Sequence, residues 1–186
     1  TYNDCNLKWK LRYIDKLGTF VGNIHTLFGS AMHTVIQEYL SVMYNKSIVA
    51  ADKLDMESRL KEEMVTEFTK IKESQKVLPC NQDEMMEFYQ DGVAILEHFR
   101  KYRNKYFMKQ NWELVGIEFP ILKDVQEGVQ MMGFLDVVLR NKISGRIVII
   151  DLKTATRGWT DFQKKDFNKK SQLLIYKKFY SELFDV

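Results

Sequence analysis

Apolar residues recur at helical spacing through the first 110 positions of this chain and at strand spacing in much of the remainder. Phe28, Met32, Val35, Ile36, Tyr39, Leu40 and Met43 mark one face of a helix over 28–44. Met56, Leu60, Met64, Phe68 and Ile71 do the same over 56–73, and Val77-Leu78-Pro79 breaks that helix. A polar connection over 45–55 lies between them, with Asp52 or Asp55 as the next N-cap. Asp83 is placed to cap a longer helix reaching about Phe107, with Met85, Tyr89, Leu96 and Phe99 buried. A short amphipathic helix over 4–16 comes first, with Leu7, Leu11 and Ile14 on one side.

The sheet begins near Leu114. Val115, Ile117, Phe119 and Ile121 alternate onto one face and Glu118 falls on the other, while Pro120 argues for an edge strand. Residues 130–140 and 147–152 are apolar on both faces, which predicts central strands with helices on either side. Ser144-Gly145 inside 141–146 reads as a hairpin connection between those two strands. A last helix over 162–184 turns Leu173, Leu174 and Phe179 toward the core, and Gln172 and Tyr176, four apart, share a side.

A length of 186 residues suits one domain, helical over 1–110 and sheet-based over 111–186. A content of 45% hydrophobic and 28% charged residues is that of a soluble globular chain. No apolar run reaches membrane-spanning length and no secretory signal is visible, so no membrane partner is expected. The two cysteines, Cys5 and Cys80, form no CxxC pair, which fits a reducing cytoplasm.

The net charge of +3 conceals a gradient. Between Lys153 and Lys178 eight Lys or Arg face two acids, a local +6 that leaves −3 for the remainder. Arg100, Lys101, Arg103, Lys105 and Lys109 form a second cluster, interleaved with Phe99, Tyr102, Tyr106 and Phe107. Cations mixed with aromatics suit a nucleic-acid backbone with stackable bases; for the Arg100 cluster a solvated helix end whose charges complement the dipole fits equally, whereas for the Lys153–Lys178 segment nucleic acid is the expectation.

Two acids stand out because a carboxylate inside an apolar strand is costly unless it is paired or metal-bound. The hairpin sets the strand of Asp136 beside the strand of Asp151, and Lys153 projects to the same side as Asp151. Converging carboxylates repel unless a divalent cation lies between them, and Mg²⁺ favours one or two carboxylates plus phosphate oxygens. This is a candidate centre for phosphodiester chemistry. An ion pair with Lys153 alone would account for only one of the two acids.

Gly133-Phe134-Leu135-Asp136 followed by Asp151-Leu152-Lys153-Thr154 resembles the bipartite signature of the PD-(D/E)XK nuclease superfamily. Gly29-x-x-x-His33 on an early helix, Gln172-x-x-x-Tyr176 on a late one, and the opening Cys5-Asn6-Leu7-Lys8-Trp9-Lys10 make it similar to the RecB-like exonuclease branch. That branch includes phage exonucleases and CRISPR-associated RecB-like nucleases. The resemblance implies a restriction-endonuclease-like α/β fold, a mixed central sheet of order αβββαβ flanked by helices. It implies continuation beyond Val186 into a further strand.

For the site it implies that Asp136, Asp151 and Lys153 are catalytic. His33, Asp136, Asp151 and the Leu152 carbonyl would bind Mg²⁺ or Mn²⁺. Gln172 and Tyr176 would contact DNA, either ends or single strands; charge and stacking, apart from the resemblance, give the same expectation for Arg157, Trp159, Lys164 and Lys165. Without the resemblance, His33 at a stripe edge reads as structural, as His25 and His98 do. Glu118 is compatible both with a supporting acid near the site and with a solvent-facing one. Iron–sulfur relatives use four cysteines; only Cys5 matches, so no cluster is expected from this segment. A structure-specific endonuclease and an inactive DNA-binding or scaffolding subunit are the alternatives, and a helicase or recombination partner is compatible with all of them.

Overall fold

The computed structural model describes residues 5–17, 21–154 and 160–186. The helical half contains α1 (Asn6–Trp9), which runs into a π-helical turn over Lys10–Ile14, then α2 (Ile24–Asn45), α3 (Ile48–Asp52), α4 (Met56–Gln75) and α5 (Gln82–Tyr106). The second half contains β1 (Trp112–Gln126), β2 (Val129–Asn141), β3 (Ile147–Ile150), α6 (Asp161–Lys165) and α7 (Phe167–Phe184). No helix among the described residues is long and apolar enough to cross a membrane.

Capping explains where the helices begin. Asn23 accepts from the Thr26 N–H and starts α2 four residues ahead of its apolar stripe. Asp55 caps α4 as expected, and Lys76, at φ 55°, turns its C-terminus into the left-handed region. α5 is capped by Asn81, not Asp83: Asn81 and Glu84 exchange side-chain-to-backbone bonds of 2.9 and 3.0 Å, a capping box. Asp83 lies inside the first turn, where its charge complements the helix dipole. The connection expected to be irregular holds α3, capped by Ser47 with Ala51 buried.

The described strands form an antiparallel sheet of order β1-β2-β3. Glu127-Gly128 turns β1 into β2, with Gly128 at φ 73°. Asn141 organises the second turn, its side chain accepting from the Ile143 and Ser144 N–H groups. Pro120 lies on an edge strand, as its missing N–H requires. β3, expected to be central, is the other edge of this sheet and ends at Ile150. Among the described strands only β2 has a neighbour on both sides.

α2 lies on one face of the sheet, with α4 and α5 packed behind it, and α7 packs against β1 and β3. Leu27, Met32, Tyr39, Leu40 and Met43 of α2 are buried with Leu60 and Met64 of α4, Leu96 of α5, and Val137 and Leu139 of β2. A second core on the α7 side joins Ile121, Leu135, Val138 and Tyr180, with Val115, Phe119 and Phe179 against it. The chain is thus an α/β fold of restriction-endonuclease-like type, a helix-flanked sheet after a helical N-terminal half.

Other expectations fail because no described element covers the faces concerned. Leu7, Leu11 and Ile14 are exposed. The outer hairpin bears Leu122, Val125, Met132 and Phe134 in the open, so the first half of β2 is not central either. The last helix is interrupted at Asp166, and Leu173 and Leu174 line a groove beside β3 instead of closing the core.

Candidate metal centre

Glu118 and Asp136 come together through an irregularity in the sheet. Glu118 lies opposite Asp136, between the pairs Ile117↔Val137 and Phe119↔Leu135. Its φ of 46° is left-handed, a conformation that costs a non-glycine residue on the order of 1–3 kcal/mol unless its surroundings hold it. The alternation of β2 slips at the same place. Leu135 and Val138 pack on the α7 side and Val137 on the α2 side, yet neighbouring Asp136 also turns to α2. Both carboxylates therefore meet the same helix.

On α2, His33 and Gln37 are one turn apart and share a face. One donor atom each from His33, Glu118 and Asp136 lie within 4.8 Å of one another. Gln37 Nε2 donates to Glu118 Oε1 at 2.7 Å and to the Asp136 carbonyl at 3.4 Å. Gln37 is the one buried polar residue among the described residues, and these two bonds account for its burial.

Asp136 Oδ2 accepts the Leu152 N–H at 2.6 Å and lies 3.9 Å from His33 Nδ1. Burial holds the Asp136 carboxyl above the usual carboxylate range. The Leu152 N–H and the neighbouring His33 oppose that rise, the charge of Asp151 adds to it, and Lys153 opposes it.

Asp151 is the first residue after β3, and Lys153 Nζ lies 2.9 Å from its Oδ1. The expected same-sidedness of Asp151 and Lys153 thus holds although the chain has left the sheet. Asp151 adjoins the three-donor cluster through its charge on Asp136, and its own oxygen is engaged by Lys153.

Two glycines permit the close approaches around this centre. A Cβ on Gly29, one turn before His33, would lie 3.3 Å from Thr154 Oγ1. A Cβ on Gly133 would lie 2.7 Å from the Tyr176 ring. Gln172 Nε2 donates to the Tyr176 hydroxyl at 3.0 Å, so the two expected substrate contacts bond each other beside β2. Lys164 and Lys165 are exposed on α6, with Lys164 3.3 Å from Asp161. Arg157 and Trp159 lie outside the described residues.

The basic cluster at the end of α5 is largely structural. Arg100 donates to the Leu54 carbonyl, Arg103 pairs with Asp52 at 2.8 Å, and Lys109 donates to the Met43 and Lys46 carbonyls. Gln37 was not assigned from sequence, and of the two readings open for Glu118 the structure favours the supporting acid near the site. The signal for Gln37 was a polar residue four after His33, at a buried phase between Ile36 and Leu40.

The donor set fits a small divalent cation. Two carboxylates and one imidazole converge, and the nearby ammonium of Lys153 turns to Asp151 instead of entering the cluster. Oxygen donors suit Mg²⁺ or Mn²⁺, and the nitrogen ligand shifts preference somewhat toward Mn²⁺.

A helix-flanked sheet that gathers acids, an imidazole and a lysine around the middle of β1 and β2, where β3 ends, is suited to metal-assisted hydrolysis of phosphodiesters. The chain belongs to the PD-(D/E)XK nuclease superfamily, whose family model matches residues 1–185. No curated protein and no solved structure matches it. Membership implies a metal-dependent nuclease.

Proposed function

We propose that this protein is a Mg²⁺- or Mn²⁺-dependent deoxyribonuclease, an exonuclease of the RecB-like kind, acting at DNA ends or single strands in the cytoplasm. The observation that carries this reading is the convergence of His33, Glu118 and Asp136 donors within 4.8 Å of one another beside the Asp151–Lys153 pair. Asp136 and Asp151 supply the charge that holds the cation, with His33, the Leu152 carbonyl and Glu118 as further ligands. Bound there, the cation acidifies a water and screens charge on the attacked phosphate.

The chain's own groups do the positioning. The Leu152 N–H fixes the Asp136 carboxylate, and the Gln37 amide fixes Glu118. Asp151 aims the Lys153 ammonium, which orients the attacking water and stabilises negative charge as it develops on the phosphate. Tyr176, Gln172, Arg157, Trp159, Lys164 and Lys165 track the substrate strand. A helicase or recombination protein is the partner such an activity would serve.

The test is digestion of end-labelled linear DNA against circular DNA with Mn²⁺, Mg²⁺ or EDTA. Linear DNA is degraded from its ends with either metal and neither form is cut in EDTA. Hydrolysis that persists in excess chelator refutes the mechanism, and equal cutting of circles refutes the exonuclease assignment.

A further inference from the structure

A second concave surface begins beside the candidate centre. Its volume is about 430 Å³, and His25, Phe28, Phe88, Asp91, His98 and Thr154 are among its lining residues. Thr154 ends the Asp151-Leu152-Lys153-Thr154 segment, so the pocket starts three residues from Asp151. On α2, His25, Gly29, His33 and Gln37 succeed one another every four residues, each rotated by about 40° from the one before, so Gly29 lies between His25 and His33 in both height and direction. His25 therefore stands eight residues from His33, about 12 Å along the helix axis. Gly29, midway, lets Thr154 lie against the helix. Gly29 and Thr154 thus connect the neighbourhood of His33 to the pocket.

The lining suits a planar heterocycle. Phe88 meets Phe28 and His25 edge-on, each with ring centroids 5.2 Å apart, leaving a wall of aromatic and imidazole groups. Asp91 is an acceptor for an exocyclic amino group and repels a phosphate. The volume falls within the roughly 300–1,000 Å³ typical of small-ligand pockets. We propose that this pocket takes one unstacked nucleobase of the substrate strand, one or two nucleotides from the bond being cut. The proposal rests on the nuclease reading above. It assigns a role to His25, Phe88, Asp91 and His98, none of which takes part in the chemistry.

The experiment uses the whole protein with Mn²⁺ and a labelled single-stranded oligonucleotide carrying one abasic nucleotide, moved stepwise along the strand from its end. Loss of one base–aromatic stack lowers the rate of the first cut by about tenfold at a single position. Ala94→Trp, which fills the pocket from α5, slows cutting of intact DNA similarly, and the two losses do not add. His25→Ala, on an exposed side chain, repeats the comparison if the tryptophan variant does not fold. A flat scan, or losses that add in full, overturns the base pocket while leaving the nuclease reading intact. Absence of metal-dependent cutting on every DNA overturns both.

Discussion

Asp136→Asn removes one negative charge from the cluster while keeping an oxygen to accept the Leu152 N–H. With carboxylate oxygens of Glu118 and Asp136 within 4.8 Å, the repulsion relieved is about 3.5 kcal/mol at an effective dielectric constant of about 20. Glu118 is exposed, and water screening reduces this to about 1–2 kcal/mol. Against it stands the change of the Leu152 bond from charge-assisted to neutral, about 1 kcal/mol. In chelator the variant should therefore be at least as stable as the wild type, by about 0–1 kcal/mol. A cation that binds only the folded state adds about 2.7 kcal/mol at about 100 times its Kd. For a chain of this size that raises Tm by about 5–10 °C, and the variant should lose most of it.

The pH dependence gives an independent check on the same group. The Asp136 carboxyl is held above its ordinary value in the folded state, so the native protein binds more protons than the unfolded chain between the two values. Stability without metal should fall as pH rises through that window, from the ordinary carboxyl range upward. The fall should be smaller in Asp136→Asn and smaller with Mn²⁺ present. The assay is thermal melting of both proteins from about pH 4 to about pH 8, in EDTA and in Mn²⁺. A variant markedly less stable than wild type in EDTA, or one stabilised equally by Mn²⁺, refutes this account.

Lys153→Ala should lower kcat by about a hundredfold or more while DNA affinity holds, and Lys164→Ala with Lys165→Ala should instead weaken binding and flatten its salt dependence, as read by single-turnover kinetics and anisotropy titrations. His33→Ala should stay folded by circular dichroism and need more metal, with partial rescue by high Mn²⁺; unchanged metal dependence would make His33 structural. Gly133→Val sets a branched side chain 2.7 Å from the Tyr176 ring, an overpacking worth about 1–3 kcal/mol of stability in urea unfolding.

The apolar spacing by itself determined the three long helices α2, α4 and α5, because a buried stripe of period near four leaves few alternatives once a segment of about 20 residues repeats it. It also determined the β2–β3 hairpin, since turn residues between two apolar runs fix an antiparallel pair, and with it the proximity of Asp136 to the Asp151-Leu152-Lys153 segment. Helix starts were less legible. Asn81 and Asp83 are both good caps, and only the reciprocal bond with Glu84 separates them. The meeting of Glu118 with Asp136 could not be read from alternation at all, because it depends on a left-handed residue in β1 and a slipped face in β2. Nor could the exposure of Leu173 and of the outer hairpin, since period reports which residues share a face and not whether another layer covers it. Gln37 shows the same division: one residue in an apolar stripe is an anomaly in one dimension, and its partners, 81 and 99 positions away, exist only once α2 lies across the sheet.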